Sequence, residues 1–146
     1  MSMVKSALFG SGAIPALERL VSFTEERQKL IAANIANVST PYYKARDISL
    51  ADFQESLAGA IEYRRSHPGT FRMSSAGSVS ADSSGKATIR VLQRHARHAQ
   101  LRHDENNVSI DEEMAANAKN GLLHRAAIEL LRNRYGMLRT AISERV

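Results

Sequence analysis

Ser109-Ile110-Asp111-Glu112-Glu113-Met114 opens the stretch of sequence that decides the fold. Ser109 with Glu112 three residues later is a capping-box pattern, and Asp111, Glu112 and Glu113 stand where the positive end of a helix dipole favours carboxylates. From there Ile110, Met114, Asn117, Gly121, His124, Ile128, Leu131, Tyr135, Leu138 and Ile142 step alternately by four and three. Leu123, Ala127, Leu130 and Met137 widen that apolar face. The spacing predicts a long helix within 108–146, with roughly 50 Å between Ile110 and Ile142.

A similar pattern lies near the other end. Ile14, Leu17, Val21, Thr24, Gln28, Ile31, Ile35 and Val38 follow heptad spacing, diluted in the middle by Thr24 and Gln28. Pro15 fits a first helical turn, and Ser39-Thr40-Pro41 is a stop, because proline disfavours helical geometry in the residue before it. Residues 13–38 therefore read as a helix of roughly 39 Å. A shorter helix is expected at about 50–63, with Ser49 as cap, Asp52 as the capping-box acid, and Leu50, Phe53, Leu57 and Ile61 on one face. Gly59 weakens it.

Residues 64–107 read differently. Ser74-Ser75-Ala76-Gly77-Ser78 and Asp82-Ser83-Ser84-Gly85 are loop-like, and Thr88-Ile89-Arg90-Val91 alternates long enough for one short strand. Nothing in 64–107 is expected to supply a core. The expected organisation is a flexible N-terminus (1–12), an N-terminal helical segment (13–63), a basic flexible insert (64–107) and a C-terminal long helix (108–146). The fold class is mainly α: long N- and C-terminal amphipathic helices packed as a coiled-coil-like pair, with a short middle helix and a flexible polar insert. Two helices leave much of each apolar stripe uncovered, which points to assembly with other subunits.

The 146 residues carry 20 Lys and Arg against 15 Asp and Glu, a formal +5. Residues 1–62 and 104–146 each carry a net −1, so the excess lies in 63–103, at +7. The run Lys86–Arg102 holds Arg90, Arg94, Arg97 and no acid. A basic nucleic-acid-binding module with coiled-coil ends is the alternative this charge raises. It is disfavoured, because no aromatic residue lies between Phe71 and Tyr135 to stack on bases. The absence of Cys excludes a disulfide scaffold, a thiolate zinc site and a thiol enzyme. His95 and His98 have chelating spacing, but the surrounding arginines oppose a cation. No nucleophile elbow, phosphate loop, dinucleotide fingerprint or His-Glu-x-x-His motif is present, so neither catalysis nor a cofactor, metal or small-molecule substrate is expected. No run of about 18 apolar residues predicts membrane insertion. The first ten residues lack the basic start and apolar length of a secretory signal, so the chain is expected to be cytoplasmic or to leave by a route that reads no cleavable signal.

One stretch is more patterned than a helix stop requires. Asn34 and Asn37 flank Ile35 and Ala36 near the helix end, where amide side chains can bond exposed carbonyls or cross to a neighbouring helix. The run Ala33-Asn34-Ile35-Ala36-Asn37-Val38-Ser39-Thr40-Pro41-Tyr42-Tyr43-Lys44 resembles the N-terminal signature of bacterial flagellar rod and hook proteins. That signature reads Asn-Ile-Ala-Asn, two residues, Thr-Pro-Gly-Tyr-Lys, and Asn34, Ile35, Ala36, Asn37, Thr40, Pro41, Tyr43 and Lys44 match it. The continuation to Ile48, the run Asn106–Met114 and the ending Tyr135–Ile142 are similar to the proximal-rod subgroup. Tyr42 departs from the pattern, standing where the family usually has Gly. A glycine there implies a positive φ that Tyr tolerates poorly, so either the turn is built differently or the ring packs on a neighbour.

The resemblance implies a structural subunit of the flagellar basal-body rod, a helical polymer around a central channel. Paired terminal helices would form its inner layer and the middle segment would face outward. Asn34 to Lys44 would be the assembly motif. Ile14, Leu17, Val21, Ile31, Ile35, Ile110, Met114, Ile128, Leu131, Tyr135, Leu138 and Ile142 are the expected seam. The implied partners are other copies of the chain, other rod and basal-body proteins, and the flagellar type III export apparatus. The implied location is the rod in the periplasmic space, reached without a cleaved signal peptide and needed for motility.

Overall fold

A computed structural model of the chain describes residues 13–81, 87–89, 92–93 and 105–143. The element order is α1 (Ala13–Ala36), β1 (Arg46–Asp47), α2 (Leu50–Ser66), β2 (Val79–Ala81), β3 (Ala87–Ile89), β4 (Leu92–Gln93) and α3 (Ile110–Ser143). The basic side chains at 86, 90, 94, 97 and 102, His95, His98 and His103, and the first twelve residues lie outside the described residues.

The two long helices pack side by side. Tyr135 bonds to Glu18, His124 to Thr24 and Asn117 to Gln28, so the pair is antiparallel. α1 stops at Ala36, two residues before the periodicity ends. There Asn37 N–H donates to both Ala33 and Asn34 carbonyls and Val38 N–H to Ile35, a tightened last turn that leaves the helical ladder. At the start of α3 the Ser109 hydroxyl accepts the Glu112 N–H, at 3.5 Å.

The interface between α1 and α3 is polar at its centre. Thr24 and Gln28 meet Asn117, Asn120 and His124. The fully buried line of α3 runs through Glu113, Asn120 and Ala127. It lies one position before Met114, Gly121 and Ile128, and the Asn120 bonds to α1 set that rotation.

Hydrophobic burial is concentrated elsewhere, between α1 and α2. Phe23 and Phe53 stack with centroids 4.1 Å apart, joined by Ile48, Ala60, Met73 and Val79. Met73 and Val79 overturn the expectation that nothing in 64–107 feeds the core. They reach it because the chain folds back across α2: the Ser56 hydroxyl donates to the Ser74 carbonyl. A Cβ on Gly59 would approach Ser74 Oγ to 3.0 Å, so the glycine read as a weak point of the helix is where the returning chain crosses it.

α2 itself runs three residues further than expected, to Ser66. Ser49 caps it by accepting the Asp52 N–H at 3.1 Å. Its buried face is Phe53, Ser56, Ala60 and Arg64, leaving Ile61 exposed. Asp52 accepts the Ser78 N–H at 2.6 Å, and Gly77, at φ 47°, has no room for a side chain beside that carboxylate. The bonds from Ser78, then from Ser49, hold the Asp52 carboxyl below its ordinary pKa. β2 pairs antiparallel with β3 and β1 with β4, as two separate two-stranded ladders. The short strand expected at Thr88–Val91 is thus found at Ala87–Ile89. No helix among the described residues is long and apolar enough to cross a membrane.

Candidate functional site

The asparagine-rich end of α1 forms a corner at the pole where the chain leaves one long helix and enters the other. Asn34 is 1% exposed. Its amide acts as a spare peptide group: Nδ2 donates to the Arg46 carbonyl at 2.8 Å, and Oδ1 accepts the Arg46 N–H at 3.0 Å. The Tyr43 hydroxyl donates to the same Oδ1 at 3.2 Å. Asn37 turns back on its own helix, where Nδ2 donates at 2.8 Å to the Ala33 carbonyl, which also accepts the Asn37 N–H, so one residue holds that carbonyl twice. Its Oδ1 accepts the Thr40 hydroxyl at 3.2 Å. Of the two roles considered for these amides, Asn37 takes the first. Asn34 bonds a strand rather than a helix.

A second pair of asparagines closes the corner from the other side. Asn106, also 1% exposed, donates from Nδ2 to the carbonyls of Asn37, Val38 and Thr40 at 3.0, 3.1 and 2.8 Å. Its Oδ1 accepts the Val108 N–H at 2.7 Å, one residue before the Ser109 cap. Asn107 Oδ1 accepts the Ala45 N–H at 2.6 Å, and its own N–H donates to the Tyr43 carbonyl at 3.4 Å. Lys44 Nζ donates to the Glu105 carbonyl at 2.5 Å. Arg27 grips Asp47 with two parallel bonds of 3.0 Å, fixing β1 against α1.

The structure therefore gathers Asn34, Asn37, Thr40, Tyr43 and Lys44 into one hydrogen-bonded unit. Ile35 beside them is half-buried, whereas Ala36, Thr40 and Pro41 face outward. Tyr42 has φ 60° and is 72% exposed. The turn keeps the left-handed geometry that a glycine would adopt, and the ring points to solvent.

Sequence reasoning named no role for Asn106, Asn107, Arg27 or Asp47. The two asparagines stand beside the Ser109 cap, but their partners lie more than sixty residues away, where no local pattern reaches.

Among the seam residues, Ile31 is buried, and Ile14, Leu17, Val21, Ile35, Ile128, Leu131 and Leu138 are half-buried. Ile110, Met114, Tyr135 and Ile142 are more than a third exposed. Leu122, Leu130 and Met137 add further exposed apolar surface to α3. Chemically the corner offers fixed geometry and no reactive group. Among the described residues no three His, Cys, Asp or Glu side chains form a metal-holding group.

No family model matches the chain. Among curated proteins it is similar to the flagellar basal body rod protein FlgB of Bacillus subtilis (strain 168), 31% identical over 136 residues, 91% of this chain and 95% of the relative. It is 37% identical over 118 residues to the protein of the same name from Cereibacter sphaeroides, covering 81% of this chain and 84% of the relative. The Salmonella typhimurium protein of that name is 29% identical over 116 residues, 78% and 80% of the two chains.

Proposed function

Because this chain belongs to the FlgB family of flagellar basal body rod proteins, we propose that it is a structural subunit that polymerises through its terminal helices into the axial tube of the rod. The observation that carries this reading is the antiparallel α1–α3 pair, locked at one pole by the Asn34–Asn106 corner. It leaves apolar side chains uncovered along a helix of roughly 50 Å.

In this reading the corner holds the two helices at a fixed separation and angle, so that copies stack with one repeat. The tube encloses the export channel and transmits torque, and the chain reaches it through the flagellar type III apparatus without a cleaved signal. The rod then crosses the periplasm, with residues 64–107 on its outer side. Contact between successive copies is heterologous, as an open helical polymer demands. The role is mechanical rather than catalytic.

The experiment is complementation of a deletion strain, with basal bodies examined by electron microscopy. Asn37→Ala removes the bonds to the Ala33 carbonyl and from Thr40, and is expected to impair rod assembly and swimming with expression little changed. Leu131→Asp places a charge on the half-buried seam and is expected to block incorporation. Normal basal bodies and wild-type swimming in both variants would remove the assembly role from these residues.

A further inference from the structure

Two adjacent residues of α3 carry a covalent chemistry that the helix pair holds in check. Asn120 is followed by Gly121, and of the seven asparagines in the chain it alone precedes a glycine. The other six precede residues with side chains, among them the β-branched Ile35, Val38 and Val108, which crowd the adjoining amide nitrogen. An asparagine carries its own electrophile, the amide carbon Cγ, placed so that the next backbone nitrogen can close a five-membered ring on it. Closure needs a backbone free to turn and a nitrogen without a bulky neighbour, and glycine supplies both.

Glycine has no other evident reason to stand at this position. Gly121 lies in the interior of a 34-residue helix, where glycine is disfavoured against alanine. It is not among the residues with positive φ, and a Cβ built there meets nothing within 4 Å among the described residues.

Asn120, by contrast, is committed to the packing. It is 1% exposed, and its Nδ2 donates to the Thr24 carbonyl and to Gln28 Oε1, both at 2.9 Å. These bonds tie the middle of α3 to the middle of α1. A carbonyl only accepts, so the group that meets Thr24 has to be a donor.

In the folded chain the ring cannot close. The Gly121 N–H belongs to the helical ladder, where the Asn117 carbonyl accepts it, and the helical ψ of Asn120 turns that nitrogen out of the plane of the ring. The two bonds from Nδ2 hold the amide against α1. When α3 parts from α1 and its ladder opens, these restraints go together.

We propose that Asn120-Gly121 is a site of spontaneous deamidation that pairing with α1 suppresses, and that the reaction bars a chain left open from pairing afterwards. The deprotonated Gly121 nitrogen attacks Asn120 Cγ. A Cγ–N bond forms, the Cγ–Nδ2 bond breaks, and Nδ2 leaves as ammonia with the hydrogen that Gly121 gave up. Water, the one co-reactant, then opens the cyclic imide. Opening at Cγ gives aspartate, and opening at the main-chain carbon gives isoaspartate. No oxidation or reduction is involved.

Either product lacks the donor. Aspartate turns a carboxylate toward the Thr24 carbonyl inside a closed interface, where a charge without a partner is strongly disfavoured. Isoaspartate also adds a methylene to the main chain and interrupts the ladder in the middle of α3. A chain that has paired keeps its asparagine, so the site records time spent unpaired. The inference concerns the helix pair itself and stands apart from the rod-subunit reading.

The full chain is held in mildly alkaline buffer, folded or in denaturing urea, and then digested with pepsin in acid. Mass spectrometry reads the exchange of NH2 for OH at each asparagine. In urea Asn120 is expected to convert before any other. In the folded chain its rate is expected to fall about hundredfold or more, because reaction waits for the helix to open. Conversion of another asparagine ahead of Asn120 in urea, or equal rates with and without urea, would overturn the proposal. Gly121→Ala adds a methyl that meets no neighbour, and is expected to slow conversion in urea about tenfold or more. An unchanged rate would remove the role given to the glycine. Asn120→Asp supplies the product directly and is expected to lower the urea midpoint at neutral pH or leave the helices unpaired. A midpoint equal to the parent's would refute the claim that modification bars pairing, and the rates in the unaltered chain do not depend on this variant.

Discussion

Replacing Asn106 by alanine tests whether the corner is a structural clamp. The side chain has two amide hydrogens shared among three carbonyls and one oxygen that accepts the Val108 N–H. These bonds amount to three full hydrogen bonds, each contributing about 1 kcal/mol net. Thr40 is exposed, so water takes over part of that loss, and the expected destabilisation is about 2–3 kcal/mol. That is a large share of the 5–15 kcal/mol typical of a domain.

Asn106→Asp sharpens the test. It keeps the shape and the Val108 bond but faces a carboxylate toward three carbonyl oxygens. Folding then raises the new carboxyl's pKa. Its protonated form is favoured in the folded state, so the penalty grows as pH rises through the carboxylate range and shrinks in acid. Urea unfolding of parent and both variants at pH 7 and pH 4 reads these differences, and amide exchange at residues 43–47 reports whether the corner has opened. A stability within about 0.5 kcal/mol of the parent for Asn106→Ala, with exchange unchanged, would refute the clamp.

Asp52 gives a second pH-dependent outcome with the opposite sign. Folding lowers its pKa, so its contribution is complete above the ordinary carboxylate range and is lost as pH falls below about 4. Asp52→Asn is expected to be less stable at pH 7 and to lose less on acidification, as urea midpoints from pH 7 to pH 2 would show. At Tyr42, substitution by glycine relieves a left-handed residue whose ring is exposed. Tyr42→Gly is expected to raise the thermal midpoint, by about 1 kcal/mol in stability, and a fall would mean that the ring makes a stabilising contact.

The helices were legible because they are set by periodicity and caps that sit within a few residues of each other. Ser49 and Ser109 cap as their spacing predicts, and the two long helices pair. What escaped was which residues face which neighbour. Thr24 and Gln28 look like interruptions of an apolar seam when only spacing is considered. In three dimensions they meet the amides and the imidazole of α3, and their polarity is the reason for that contact. Phe23 belongs to a different face of the same helix, buried against Phe53, and a single-stripe picture of α1 has no place for it. Met73 and Val79 stand in a polar, serine-rich run, and only the crossing over Gly59 brings them inside. The motif around Asn34 announced itself by its regularity. Its partners Asn106 and Asn107 stand in a run that resembles the same family, but their pairing with the motif was not legible, because a hydrogen bond between distant segments does not show in the spacing of either.

The base of the corner also has a topological consequence. Residues 43–45 and 105–107 are stitched together by Lys44, Ala45 and Asn107, so the polypeptide between them enters and leaves through one closed neck. The ring entropy of such a loop grows only logarithmically with its length, at about 0.6 kcal/mol per doubling. That term is small beside the core that the intervening stretch supplies, because Ile48, Phe53, Ala60, Met73 and Val79 all lie within it and pack with Phe23 of α1. α1 is thus fastened from two sides, by the asparagine at the neck and by the core carried inside the loop that the neck closes.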